Sequence, residues 1–231
     1  MSIQQVIPNV YSISIGSVNV FLLEDEDDGL ILIDTGNPGS EDLILQSIRK
    51  IGKHLTDIKH ILVTHSHADH TGSLAALKKS TNAQTYMHSI DAELVKAGKT
   101  LRSLAPSPGL MARILFWLFI RPSPTIEPIE IENEVSDGDI IQLAGGIKAI
   151  HVPGHCAGQL AFLWPKQKGV LFAADTCINK MGLGLSIGYE DIEEGKRSLH
   201  KLANLEFETA LFSHGNAIII GASKRFKEKW G

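Results

Sequence analysis

The chain is 231 residues long, 43% hydrophobic and 21% charged, with 22 basic against 26 acidic residues and a formal charge of −4. That length and composition fit a soluble globular fold with a substantial core, and with no basic stripe or Lys/Arg run to neutralise phosphates, nucleic acid is not an expected partner. Two cysteines, Cys156 and Cys177, are too few for a disulfide framework, and Met1 to Val10 lacks the basic-then-apolar pattern of a secretory leader, which predicts a cytoplasmic protein.

Ile7 to Ile15 and Val18 to Glu24, rich in β-branched and aromatic residues, read as strands, and the acidic run Glu24 to Gly29 as the turn of a hairpin. Leu30 to Ile33 is a short apolar strand ending at Asp34-Thr35-Gly36. A helix follows Asn37-Pro38-Gly39-Ser40, with Leu43, Ile44, Ile48 and Ile51 on one face and Gly52 as its stop. Ile58 to Thr64 reads as the next strand, Thr71 to Lys79 as a helix, Gln84 to His88 as a strand and Ile90 to Ala97 as a helix. From Val135 the pattern changes to short strands at Asp139 to Leu143, Ile147 to Val152, Gln159 to Trp164 and Val170 to Ala173. Glu190 to Leu202 is then a helix, Thr209 to Ser213 a strand and Ala222 to Trp230 a last helix. Strand-rich blocks with helices in each half predict an α+β fold, two sheets packed face to face with helices outside, in a single domain over 1–231.

One segment breaks this rhythm, a hydrophobic insertion at about 100–128. Leu104 to Pro128 holds five prolines and the apolar run Leu110 to Ile120. As a helix, that run would span only about 16 Å, against the ~30 Å of a bilayer core, so no transmembrane segment is expected. Such a face calls for a cover: the protein body or a second subunit (a possible homodimer through 110–120), a substrate, or a membrane surface.

The chemistry is concentrated after Ile61-Leu62-Val63, in His65-Ser66-His67-Ala68-Asp69-His70. Three imidazoles and a carboxylate at the end of a buried strand can converge, and that donor set suits zinc, iron or manganese. Further ligand-type residues also follow apolar strands: His155 after Pro153-Gly154, Asp175 after Val170 to Ala174, and His214 after Ala210 to Ser213. One sheet edge could present them all. No G-x-S-x-G elbow suggests a protein nucleophile, and the glycines of the Met181 to Tyr189 loop lack the setting of a nucleotide-binding turn.

The His-x-His-x-Asp-His string preceded by Thr64, together with Asp34-Thr35-Gly36, Pro153-Gly154-His155, Asp175 and Ser213-His214-Gly215, resembles the metallo-β-lactamase superfamily across nearly the whole chain. The resemblance implies a four-layer αβ/βα sandwich of two mixed sheets with metals at the sheet edge. It implies His65, His67 and His155 on one divalent ion, Asp69, His70 and His214 on a second, and Asp175 between them, with zinc the first expectation and iron or manganese the others. The resemblance places an aspartate at 175 in the glyoxalase II-like thioesterases, the lactonases and the processing nucleases, and not in the β-lactamases proper. His67 stands where the oxygen-reducing flavoproteins carry Glu. Ser66 replaces the His of glyoxalase II itself, and the chain ends 17 residues beyond His214, short of a glutathione-gripping helical domain. Ile178 stands where the quorum-signal lactonases have Tyr.

The function implied is hydrolysis of a small ester, thioester or lactone by a metal-bridging hydroxide, with Asp69 as ligand and proton shuttle. The alternatives are a mononuclear iron oxygenase like the persulfide dioxygenases, and a phosphodiesterase. Asp34 is expected to orient the ligand loop, and Tyr189, Phe116 and Trp117 to line the substrate pocket. His54, His60, His88, His151 and His200 read as surface or packed residues, and Cys156 and Cys177 as small buried ones.

Overall fold

The computed structural model describes residues 3–119 and 125–231. Its elements in chain order are β1 (Ile3–Ile7), β2 (Val10–Ile15), β3 (Val18–Asp25), β4 (Gly29–Ile33), α1 (Glu41–Lys50), β5 (Ile58–Leu62), α2 (Ala68–Thr71), α3 (Leu74–Thr81), β6 (Gln84–Met87), α4 (Ser89–Lys96), β7 (Ala105–Pro106) and α5 (Leu110–Phe119). Then come β8 (Asn133–Glu134), β9 (Ile140–Ile141), β10 (Ile147–His151), β11 (Leu160–Trp164), β12 (Val170–Phe172), β13 (Cys177–Asn179), β14 (Leu183–Leu185), β15 (Gly188–Tyr189), α6 (Ile192–Ala203), β16 (Thr209–Leu211) and α7 (Ala222–Trp230).

The first sheet has the order β1-β2-β3-β4-β5-β6-β8, antiparallel as far as β4 and parallel beyond it. The second runs β16-β12-β11-β10-β9, with only the β12–β16 pair parallel. Strands buried on both faces need apolar residues at both parities, and β3 and β4 supply them. Val20, Leu22, Leu30 and Leu32 pack toward Ile44 and Ile48 of α1, Leu74 and Leu77 of α3, and Val95 of α4. The alternate residues Phe21, Leu23, Ile31 and Ile33 meet Phe162, Trp164 and Phe172 of the second sheet. Behind that sheet, Ile150, Ala161 and Leu171 pack on Leu199 and Leu202 of α6 and Phe226 of α7. The result is the expected four-layer α+β sandwich, its three apolar interfaces worth roughly 1.5–3 kcal/mol per fully buried large side chain.

The structure departs from the expected elements where a backbone constraint intervenes. The strand expected over 7–15 is a hairpin, turned at Asn9 with φ 67°. The helix expected over 71–79 is two pieces, α2 and α3. Between them the chain passes so close to Pro38 that a Cβ on Gly72 would lie 2.1 Å from the Pro38 nitrogen. The strand expected at 139–143 is only β9, and the glycine-rich stretch before Tyr189 is the β13–β14 hairpin followed by β15, which pairs with β7 of the insertion.

Ile120 and the rest of the insertion through 124 lie outside the described residues. Helix α5 is seated by Phe116, 5% exposed, whose ring lies against Gly188. The opposite stripe, Leu110, Met111, Ile114, Trp117 and Leu118, is exposed, Trp117 by 74%. Among the described residues no helix is long and apolar enough to cross a membrane.

Candidate metal centre

Every predicted ligand follows the end of a strand on the same rim of the sandwich. β5 ends at Leu62, and its chain runs through Val63 and Thr64 into His65; His67 then caps α2, whose single turn carries Asp69 and His70. His155 follows β10, Asp175 follows β12 and His214 follows β16. Parallel pairing of β12 with β16 brings Asp175 and His214 side by side, with His214 Nε2 3.2 Å from Asp175 Oδ2.

The structure brings all seven predicted residues together. Nδ1 of His67 lies 3.2 Å from His65 Nε2 and 3.0 Å from His155 Nε2. Asp69 Oδ2 lies 3.3 Å from His214 Nε2 and 3.7 Å from His70 Nε2. Asp175 stands between the two sets, 3.5 Å from His155 Nε2 and 3.8 Å from His70 Nε2. Donor atoms around a tetrahedral ion with bonds of ~2.0–2.1 Å are spaced by about 3.3 Å, so these separations suit one ion within each set. His70 Nε2 and Asp175 Oδ1 are buried and have no hydrogen-bond partner. Orphaned buried groups of this kind are costly unless a cation accepts them, and the donor set therefore fits divalent metal.

The electrostatics divide the site in the same way. Burial, then the neighbouring imidazoles, hold His65 well below its ordinary pKa, and burial with His155 takes His67 down to about 3. Burial opposes charge on His70 as well, yet Asp69, Asp34 and Asp175 outweigh it and lift it to about 9. His214 is raised against burial by Asp175 and Asp69. Burial works against both carboxylates, but the imidazoles hold Asp69 and Asp175 well below the usual range. Burial lowers His155 as well, so three imidazoles are kept neutral while two are raised by the acids beside them.

Asp34, at φ 64°, accepts from the Thr64 N–H (2.8 Å), the Thr64 hydroxyl (2.9 Å) and His70 Nδ1 (2.8 Å), and that hydroxyl lies 3.0 Å from His65 Nδ1. It therefore braces both sets. Residues that sequence reasoning passed over complete the frame. Buried Asp91 of α4 accepts from Ser66 N (3.0 Å), Gly158 N (3.1 Å) and Arg102 Nη1 (2.7 Å), tying the His65 loop to the His155 loop. Asn19 donates its side-chain amide to Phe212 O and Gly215 O, and Ser17 O accepts from His214 Nδ1. An acid in a helix first turn and an Asn beside a hairpin turn carry no signal of such roles.

Tyr189, expected in the substrate pocket, is 1% exposed. Its hydroxyl donates to Thr176 O and accepts from Ser186 N, and its ring stands edge-on to His155, so it backs the ligand. Phe116 anchors α5 beneath its exposed stripe, and Trp117 faces solvent. Burial pushes the thiols of Cys156 and Cys177 well up. Among the other histidines, His88 and His151 stack on one another at 4.3 Å, and His60 meets the Tyr86 hydroxyl at 3.2 Å.

A family model described as the metallo-beta-lactamase superfamily matches residues 13–214. The chain belongs to the metallo-β-lactamase superfamily. Among curated relatives of this superfamily member, YobT of Bacillus subtilis is 31% identical over 170 residues, 73% of this chain and 66% of YobT. The thioesterase pkgB of Emericella nidulans is 28% identical over 191 residues, 82% of this chain and 43% of pkgB. The chain thus spans less than two thirds of the length of each. Among solved structures, the β-lactamase from Chitinophaga pinensis superposes with a TM-score of 0.75 at 25% identity, covering 99% of this chain and 89% of that one.

Proposed function

We propose that this superfamily member is a dinuclear metal-dependent hydrolase of the glyoxalase II-like subgroup that cleaves an ester, thioester or lactone of a small acyl-bearing molecule. The observation that carries this reading is the pair of unpartnered inward atoms, His70 Nε2 and Asp175 Oδ1, lying between two converging donor sets. His65, His67 and His155 would hold one ion, Asp69, His70 and His214 the other, and Asp175 would bridge them. Divalent ions bound there, zinc with iron or manganese as the other candidates, would supply Lewis acidity and a water acidified to near neutrality.

The remaining work falls to the chain. Asp34, Thr64 and Asp91 fix the ligand loops before substrate arrives. Asp69, its side chain 33% exposed, is the site carboxylate nearest to solvent, so it takes the proton released by the attacking water and passes it to the departing oxygen or sulfur. An acyl substrate is supported by the apolar stripe of α5, which is anchored through Phe116 on Gly188, the residue whose carbonyl accepts from His155 Nδ1 at 2.7 Å. A thioesterase among the relatives points the same way.

The test is elemental analysis of protein purified without added metal, followed by assay against thioesters, lactones and phosphodiesters. We expect two divalent ions per chain, turnover of an acyl substrate, and loss of that turnover in Asp175→Ala. A single iron per chain, phosphodiester turnover alone, or an Asp175→Ala protein of undiminished activity would overturn the reading.

A further inference from the structure

Each of the five site histidines turns one ring nitrogen toward the shared space and the other toward a partner in the protein. For four of them the inner atom is Nε2, and the outer Nδ1 meets oxygen. His65 meets the Thr64 hydroxyl at 3.0 Å, His70 the Asp34 carboxylate at 2.8 Å, His155 the Gly188 carbonyl at 2.7 Å and His214 the Ser17 carbonyl at 2.8 Å. His67 is the reverse. Its Nδ1 faces His65 and His155, and its Nε2 lies 3.1 Å from Cys156 Sγ.

We propose that Cys156 is the positioning residue of His67, its sulfur accepting the Nε2–H so that Nδ1 is left as a bare lone pair facing the ion. This rests on the metal-dependent reading of the site. The sulfur is well placed for that task because its own backbone is clamped on both sides. Cys156 is fully buried, its carbonyl accepts from Gly154 N and Gln159 N at 3.3 Å each, and the next two amides, Ala157 N and Gly158 N, donate to Glu190 and Asp91. A ring nitrogen without a fixed outer partner can rotate or take the other tautomer. Removal of such partners costs metal sites about 10–100-fold in affinity.

Direct ligation by the sulfur is the competing arrangement, since His65, His67, His155 and Cys156 each offer a donor atom within 4.8 Å of the others. The contact between the sulfur and His67 argues against it. The sulfur lies against Nε2, across the ring from the nitrogen that faces the other two imidazoles.

The experiment measures Zn2+ affinity of the full chain by chelator competition for wild type, Cys156→Ala and Cys156→Ser, with thermal unfolding of the metal-free forms alongside. We expect Cys156→Ala to bind about 10–100-fold more weakly, and Cys156→Ser, whose hydroxyl can still accept, to recover most of that loss, with little difference among the metal-free unfolding temperatures. The wild type gives a second measurement that needs no variant. With zinc bound, 15N spectra should show, among the five site histidines, one protonated at Nε2 and four protonated at Nδ1, and the cobalt form should show no thiolate-to-cobalt charge-transfer band. Wild-type affinity in Cys156→Ala, or a thiolate band in the cobalt form, overturns the role of Cys156 and leaves the metal reading standing. A wild type that binds none of zinc, iron or manganese overturns both.

Discussion

Asp34 offers the sharpest separation of stability from metal binding. Replacing it by Ala removes the acceptor for Thr64 N–H, the Thr64 hydroxyl and His70 Nδ1–H, all buried. In the metal-free protein the hydroxyl can turn to His65 Nδ1 once that ring takes its Nε2–H tautomer, so two donors are orphaned at about 1–3 kcal/mol each. A loss of roughly 2–6 kcal/mol is a large part of a typical 5–15 kcal/mol. Asn behaves differently. Its amide oxygen still accepts from Thr64, and Asn tolerates the left-handed conformation at φ 64°. Its NH2 group then faces His70 Nδ1, which can only accept from it, so the ring proton moves to Nε2, the inward nitrogen. Asp34→Asn should therefore cost folding only about 1 kcal/mol, while metal affinity falls about 10–100-fold, or roughly 1.4–2.8 kcal/mol. Thermal unfolding of the metal-free proteins and chelator competition measure the two effects separately. An Asn variant that binds metal as wild type does, or that matches Ala in both measurements, refutes the reasoning.

Two other expectations concern the frame around the site. A Cβ on Gly154, at φ 132°, would lie 2.3 Å from the Gly195 backbone of α6; strain and overpacking together put the cost of Gly154→Ala at roughly 2–6 kcal/mol, and denaturant unfolding within 1 kcal/mol of wild type would contradict it. His88 caps α4 by accepting from Ile90 N through Nδ1 while stacked on His151, and burial followed by His151 hold its pKa below the ordinary 6.5. Its contribution to stability is therefore present above pH 6.5 and lost as pH falls below that value, because protonation of His88 removes the cap. Asn at this position caps without titrating, so the stability gap between wild type and His88→Asn should shift in favour of the variant from pH 7 to pH 5, a trend that a flat difference would disprove.

What the sequence made legible is what strand ends make legible. An apolar run that stops at a ligand-type residue announces both the strand and the rim, and His65, His155, Asp175 and His214 all stand at such places. The four layers follow from the same runs, since β3 and β4 are apolar at both parities and must be covered on both faces. The missed features depend on approaches between distant segments. Nothing local says that Asp91 will reach Ser66 and Gly158, that Gly72 must pass Pro38, or that Ser17 will hold His214 across 197 positions. Tyr189, expected to line the substrate pocket, depends on such an approach too: β15 pairs with β7 and turns its ring inward against His155.

The division of charge lets the acids and imidazoles of the rim stand together before any metal is bound. Five charged imidazoles beside two carboxylates in one rim would be costly to bury. Desolvation keeps His65, His67 and His155 uncharged, whereas His70, bonded to Asp34, and His214, close to Asp69 and Asp175, are raised against burial by the acids around them. The acid-rich half is thus already compensated by cationic rings, at the positions where a metal cation would take over that compensation. Metal binding would release those protons, and the cation would take their place between the same ligands. The ligands can be held in place by Thr64, Asp34, Gly188, Ser17 and Cys156 in both states, because those contacts lie on the outer nitrogens, away from the exchange.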